Sequence, residues 1–437
     1  MEYIPNILFA VILALGIGYF ARNIKKLIRN IKLGREVDAS DHKSERWSNM
    51  ARIALGQSKM VKRPIAGFLH IVVYVGFIII NIEVLEIIID GLFGTHRIGL
   101  KVLPESVYGF LIGAFEILAV LVLVSVVIFW LRRNVIKLKR FLSSEMKGWP
   151  KNDGNIILYF EVVLMCLFLV MNATDTTFQN LGHGNVISQF IAPWFGDNPD
   201  TLHMIERTAW WLHIVGILIF LNYLYFSKHL HILLAFPNTY FGSVEPKGKF
   251  NNLEAVTNEV KLMMDPNADP FAAAPEGAED EVPAKFGASD VMDLNQIQLL
   301  NAYTCTECGR CTSACPANLT GKKLSPRKIM MDTRDRLEEV GKNIDANGGE
   351  FKDDGKQLLG DYITNEELWA CTTCNACVEE CPVSINPLSI ILEMRRYLVM
   401  EQSAAPMELN NMMTNIENNG APWPYNQMDR LNWAKED

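Results

Sequence analysis

Five stretches of the chain are apolar almost throughout: Ile4–Phe20, Ile65–Ile89, Val107–Leu131, Ile156–Met171 and Thr208–Phe226. Crossing about 30 Å of hydrocarbon takes roughly 20 helical residues, so each is long enough to be a membrane span. Beyond residue 241 the pattern changes. Residues 242–288 hold Pro246, Pro266, Pro270, Pro275 and Pro283 and the acidic run from Glu276 to Glu281, which reads as a poorly structured linker. Within it, Leu253–Met264 has the spacing of a short solvated helix. Further on, Met330–Val340 and Lys356–Leu368 have helical composition, the latter with a break at Gly360. Pro387–Met400 reads as a helix with proline at its first position. The pattern predicts an all-α membrane protein: five spans in residues 1–241, the linker, a helical domain over 289–405 and a tail over 406–437.

Charge orients the spans. The segment between the first two spans carries twelve Lys and Arg and the loop after the third carries seven, whereas the opposite loops hold Arg97 and Lys101, then Arg207. By the positive-inside rule the N-terminus faces out, and everything after Phe226 lies in the cytoplasm. The first span lacks a basic leading region and a small-residue cleavage site, and Arg22, Lys25, Lys26 and Arg29 follow it, so it reads as a retained anchor. The chain has 437 residues, 49% of them hydrophobic, and a net charge of −8, which excludes disorder and suits two to four domains. Basic residues beyond 243 are dispersed among more numerous acids, which argues against a nucleic-acid face.

Eight of the nine cysteines fall in the cytoplasmic half, a reducing compartment where clustered cysteines serve as metal ligands rather than disulfides. Cys305, Cys308, Cys311 and Cys315, followed by Pro316, repeat the spacing of Cys371, Cys374, Cys377 and Cys381, followed by Pro382. Each is C-x₂-C-x₂-C-x₃-C-P, the run that binds cubane iron–sulfur clusters and whose fourth cysteine ligates the other cluster. The first [4Fe–4S] set is therefore Cys305, Cys308, Cys311 and Cys381; the second is Cys371, Cys374, Cys377 and Cys315. Structural zinc is disfavoured, because zinc knuckles pair C-x₂-C units across a longer gap. Cys166, inside the fourth span, reads as a small buried hydrophobe.

All eight histidines lie in the membrane half. Ionisable groups in lipid are costly and default to function. On a continuous helix His213 and His231, 18 residues apart, face the same way about 27 Å apart, while His229 faces elsewhere. Such histidines, met by one from another helix, hold b-type haem in a bundle. His70 and His231 read as haem ligands, and His229, beside Lys228, as an interfacial histidine. Glu83 and Glu86 in span two, Glu116 in span three and Glu161 in span four interrupt apolar runs. As candidates for a quinone site, Glu83 and Glu86 lead, against the plainer reading of carboxylates hydrogen-bonded within the bundle. No glycine-rich loop joins a strand to a helix, so any flavin belongs to a partner.

Phe68-Leu69-His70-Ile71, Trp211-Leu212-His213 and Phe226-Ser227-Lys228-His229-Leu230-His231-Ile232 resemble the haem-binding helices of the respiratory nitrate reductase gamma subunit. The cysteine-rich half, from Thr304-Cys305-Thr306-Glu307-Cys308-Gly309-Arg310-Cys311 to Pro316-Ala317-Asn318 and Thr320-Gly321-Lys322, is similar to iron–sulfur subunits of the heterodisulfide reductase and anaerobic glycerol-phosphate dehydrogenase kind. Fusions of these parts form a heterodisulfide-reductase-related family. The resemblance implies a five-helix cytochrome b bundle, with His70 and His231 on the inner haem and His213 on an outer one, hence one or two haems. Ile80 stands where the gamma subunit has the second outer histidine, leaving Asn81, His96, His183 and His203 as substitutes. The tail from Glu417 resembles the connector before a catalytic domain, which implies a separate soluble catalytic subunit, of heterodisulfide-reductase type or a flavoprotein. The expected role is that of an electron-transfer subunit in the cytoplasmic membrane, linking a quinone pool, haem b and two [4Fe–4S] clusters, with substrate catalysis on the partner. The rival from another class is a membrane-anchored redox sensor or scaffold without quinone chemistry.

Overall fold

The computed structural model describes residues 3–246, 248–266 and 285–435. The acidic run from Glu276 to Glu281 lies outside them. All five predicted spans are helices: α1 (Ile4–Ile31), α2 (Pro64–Phe93), α3 (Glu105–Asn134), α4 (Trp149–Thr174) and α5 (Pro199–Tyr223). Four carry proline at the start of the first turn, where its fixed φ and missing N–H cost nothing. Asn198 caps α5, its side chain accepting from Asp200 N and Thr201 N. The bundle interior is apolar: Phe115, Ala119, Phe168 and Ile214 are buried, while Ile7, Leu15, Phe77 and Val124 face outward, as lipid-facing residues do.

Two elements depart from the sequence reading. The chain after α5 is no continuous helix: a 3₁₀ turn covers Leu224–Phe226, Ser227 is extended, and a second 3₁₀ turn leads into α6 (His231–Tyr240). Asp153 fixes the break, accepting from Tyr223 Oη at 2.6 Å, Ser227 Oγ at 2.7 Å and Lys228 N at 3.2 Å. The straight projection from His213 to His231 therefore does not hold. Nor is Lys356–Leu368 one helix. Leu358–Tyr362 is an irregular turn with Gly360 at φ +97°, and a short helix, Asn365–Trp369, restarts behind a Thr364–Glu367 capping box.

The C-terminal half is helical, and no strand occurs among the described residues. It comprises α7 (Gln296–Thr304), α8 (Arg310–Ala314), α9 (Pro326–Ala346), α10 (Ala376–Glu380), α11 (Pro387–Met400) and α12 (Met407–Asn419). The linker helix expected at Leu253–Met264 runs over Glu254–Met264. Helices α9 and α11 supply the core, burying Ile329, Leu337 and Val340 against Leu388, Ile391 and Met394. In contrast, α12 buries no residue.

The two halves meet along a polar seam. Helix α1 runs eleven residues past its predicted end, and the extension lies on α9. Asn30 donates to Tyr303 Oη at 2.9 Å, Arg29 to Gly341 O at 3.0 Å, and Lys26 and Arg29 both pair with Asp345. A Cβ at Gly341 would lie 2.5 Å from the Asn30 amide, so this approach requires glycine. On the other side Arg327, fully buried, donates to Arg140 O at 2.6 Å and to Glu145 at 2.7 Å. Removing one partner of a buried pair strands the other, at a cost of about 3–5 kcal/mol. Arg327→Ala should accordingly lower the melting temperature of the detergent-solubilised chain and expose the seam to protease, whereas substituting the exposed Lys352 should do neither.

Candidate functional site

The two cysteine loops share one backbone shape. In the first, Glu307 (φ +54°) and Gly309 (φ +71°) flank Cys308; in the second, Thr373 (φ +54°) and Asn375 (φ +58°) flank Cys374. Non-glycine residues seldom adopt positive φ, and paired outliers at matching positions mark a loop shaped around a ligand. The short helices α8 and α10 follow and return the chain to Cys315 and Cys381, where proline closes each turn. The sequence carries a trace of this shape: glycine and asparagine, the residues that best tolerate left-handed backbone, occupy the same place in each motif.

Spatially, Cys381 joins the first loop rather than its own. One cavity is lined by Cys305, Cys308, Cys311 and Cys381, and also by Cys377, Arg310 and Met330. The charges that act on Cys377 come from Cys371, Cys315 and Cys374. Burial pushes the thiols of Cys305 and Cys377 up to about 12, and that of Cys381 to about 11. Burying unpaired polar groups is unfavourable, and iron binds the thiolate, so the sites suit a metal that replaces those protons. Backbone N–H groups already point at sulfur, Ile385 N at 3.2 Å from Cys381 Sγ and Thr373 N at 3.4 Å from Cys371 Sγ, the kind of bond that tunes a cluster.

In the bundle, the bend at Ser227 brings together histidines from two parts of the chain. The rings of His70, on α2, and His231, at the start of α6, lie 6.4 Å apart between centroids. His231 Nδ1 is 3.1 Å from Lys228 O, which leaves its Nε2 for another partner, and His70 Nδ1 is buried without a hydrogen bond. Contrary to the interfacial reading, His229 packs against Phe220 and His231, each at 5.4 Å. His213 sits apart, buried beside Phe168 at 6.3 Å, with Nδ1 unpaired. Among the described residues no histidine ring stacks with it; His96 pairs with Asp175, and His183 bonds Leu181 O and Glu105 O. Cys166 is exposed on the outer face of α4 rather than buried.

The carboxylates divide. Glu86 accepts from Gly99 N at 2.8 Å and Tyr108 Oη at 3.0 Å, and Glu116 accepts from Asn172, Ile187 N and Ser188 N, so both lock the bundle. Glu83 is 3% exposed and its Oε2 has no partner. Sequence reasoning missed an outer cavity of about 600 Å³ between α1, α2 and α5, walled by Phe9, Trp210 and Trp211. Ligand atoms of His96, Asp175 and Glu206 converge on it within 4.8 Å, but Arg97 and Arg207 already neutralise the two carboxylates.

At the seam, Lys228 Nζ pairs with Glu307, which Arg334 also holds at 2.9 Å. Burial works against ionisation of Glu307, yet Lys228 and Arg334 hold its carboxyl below the usual range. Arg310 donates to Lys59 O at 3.1 Å and Met60 O at 3.3 Å, and Arg63 to Glu380 at 3.1 Å.

Residues 304–385 match a family described as a 4Fe-4S dicluster domain. The chain is 30% identical to the probable iron-sulfur-binding oxidoreductase FadF of Bacillus subtilis, over 98% of its own length and 61% of the relative's. It is 27% identical to the EtfAB:quinone oxidoreductase of Syntrophomonas wolfei, over 92% of the chain and 55% of that protein. Over 27% of the chain and 60% of the relative, it is 34% identical to one subunit of a ferredoxin/F(420)H(2)-dependent CoB-CoM heterodisulfide reductase of Methanosarcina acetivorans. No solved structure matches. The chain spans less than two thirds of the first two relatives. It is a helical membrane protein that carries a 4Fe-4S dicluster domain, and its relatives are iron–sulfur oxidoreductases and heterodisulfide reductase subunits.

Proposed function

We propose that the chain is the membrane electron-transfer subunit of a quinone-linked oxidoreductase. In this reading residues 1–241 form a cytochrome b bundle, N-terminus outside, in the cytoplasmic membrane, and 289–405 a cytoplasmic ferredoxin domain joined by the 242–288 linker. Cys305, Cys308, Cys311 and Cys381 hold one [4Fe–4S] cluster; Cys371, Cys374, Cys377 and Cys315 hold the other. One b haem lies between His70 and His231. Substrate chemistry belongs to a soluble partner of heterodisulfide-reductase type or a flavoprotein, for which the largely exposed segment 406–435 is a contact surface.

The observation that carries the reading is the histidine pair. A metal ion held by two histidines would need both rings close enough to share it, each with a ring nitrogen left free. The separation here is 6.4 Å. The Lys228 carbonyl fixes the ring of His231 and leaves Nε2 as the ligating atom, the usual outer-shell arrangement for a metal-bound histidine. Bound there, a haem supplies one-electron chemistry within the lipid layer. His213, without a histidine partner, supports no second haem on this geometry.

A quinone exchanges protons as well as electrons, and Glu83, with its unpaired buried oxygen, is the carboxylate placed for that exchange. Glu86 is committed to Gly99 and Tyr108 and has a structural role. The name of the Syntrophomonas relative, which sets a quinone opposite EtfAB, supports a lipid-side and a soluble-side partner.

Three outcomes test the reading. His70→Ala and His231→Ala should each abolish the sharp visible band of reduced haem b, and His213→Ala should leave it; the reverse pattern contradicts the assignment. By electron paramagnetic resonance, Cys315→Ala should degrade the cluster carried by the second motif and spare the first, and Cys381→Ala the converse. Glu83→Gln should slow quinol-driven haem reduction at least tenfold with the haem spectrum unchanged, and a native rate would remove Glu83 from the quinone site.

A further inference from the structure

The two clusters are not equivalent in their surroundings. Every loop of the first set is fastened to a segment that carries or borders one of the paired histidines. Arg310, one residue before Cys311, donates to the carbonyls of Lys59 and Met60, in the segment that leads into α2. Lys228 accepts from His231 through its carbonyl while its ammonium grips Glu307, one residue before Cys308. Glu380, one residue before Cys381, pairs with Arg63 at the head of α2.

The second set faces the other way. Arg395, from α11, holds the Leu368 and Cys371 carbonyls, at 2.6 and 2.5 Å, so this loop is tied within the cytoplasmic half. Cys374 is exposed, whereas Cys305 and Cys381 are buried. A bare sulfur at the surface brings its cluster within reach of a docked protein, and a buried one does not.

We infer from these contacts that the cluster on Cys305, Cys308, Cys311 and Cys381 is the membrane-side station, and that the cluster on Cys371, Cys374, Cys377 and Cys315 is the station that exchanges electrons with the soluble partner. Arg310 and Lys228 are the positioning residues between the histidine pair and the first station. With clusters held by these two cysteine sets, each transfer would move one electron, one centre being oxidised by one as the next is reduced by one. No bond is made or broken. The order rests on the proposed haem only for its rate measurement, and its geometry can be tested without haem.

Two arms decide it on the purified, cluster-loaded full chain. In a Cys166→Ala background, a nitroxide on Val61→Cys, an exposed position beside Met60, should relax faster when the first cluster is reduced and be almost unaffected by the second. Stronger coupling to the second cluster overturns the order, whether or not haem is present. In rapid mixing, Cys308→Ser should slow haem-to-second-cluster equilibration at least tenfold, while Cys374→Ser leaves haem-to-first-cluster transfer at its native rate; the opposite pattern overturns the proposal. Arg310→Gln, which removes a positive charge, should lower the midpoint potential of the first cluster alone. A shift confined to the second cluster counts against Arg310 as the linking residue. Absence of the haem band refutes the haem assignment and leaves the label arm to decide the order.

Discussion

Charge is buried where the five-span bundle meets the cysteine-rich half, and burial makes each of its partners obligatory. Arg327 and Glu307 are buried where the halves meet, and their half-buried partners Glu145, Lys228 and Arg334 neutralise them there. Buried ion pairs contribute little net stability compared with apolar replacements, but they penalise any other arrangement heavily, because each broken pair strands a charge. Apolar packing would hold the halves together as well, but it would tolerate sliding. An electron path tolerates little displacement of its centres, and directional, mutually neutralising contacts specify register where hydrophobic burial would not.

The same contacts join local structure to function. The bend at Ser227 breaks what would otherwise be a single long helix, and Asp153 stabilises it by accepting three hydrogen bonds. That bend swings His231 back towards His70 and places Lys228 so that its carbonyl meets the imidazole and its ammonium meets the cysteine loop. A straight helix would carry His231 on along the line of α5, away from α2. Backbone strain also marks the two cysteine loops, where Glu307, Thr373 and Asn375 hold positive φ at matching places around Cys308 and Cys374. The bundle itself is ordinary, with apolar faces outward and committed carboxylates such as Glu86 and Glu116 cross-linking loops to helices.

Much of this is legible in the sequence. Apolar runs mark all five spans because lipid imposes length and composition together, and the cysteine spacing announces two matched loops because the motif's geometry is local. What escapes is whatever depends on tertiary contacts. The projection from His213 to His231 assumes a continuous helix, and no local signal at Ser227 announces that Asp153, some 70 residues earlier, will cap the break. His229 reads as interfacial from its neighbour Lys228, yet that lysine turns inward to Glu307. The eleven-residue extension of α1 is polar because it lies on α9, a partner roughly 300 residues away, and hydropathy alone ends the span at Phe20. The outer cavity draws its walls from three helices and leaves no pattern in any one of them.

The proposed electron path runs from the lipid layer to the two sets of cysteine sulfurs. It is tested most directly by adding a soluble quinol analogue anaerobically to the purified chain and following the visible and paramagnetic spectra together with bound iron and sulfide. About eight cluster iron and eight sulfide per chain are expected, as two cubane clusters require, with the haem band developing first and the cluster signals after it. Haem that reduces while the clusters stay oxidised, or protein without haem or sulfide, would contradict it.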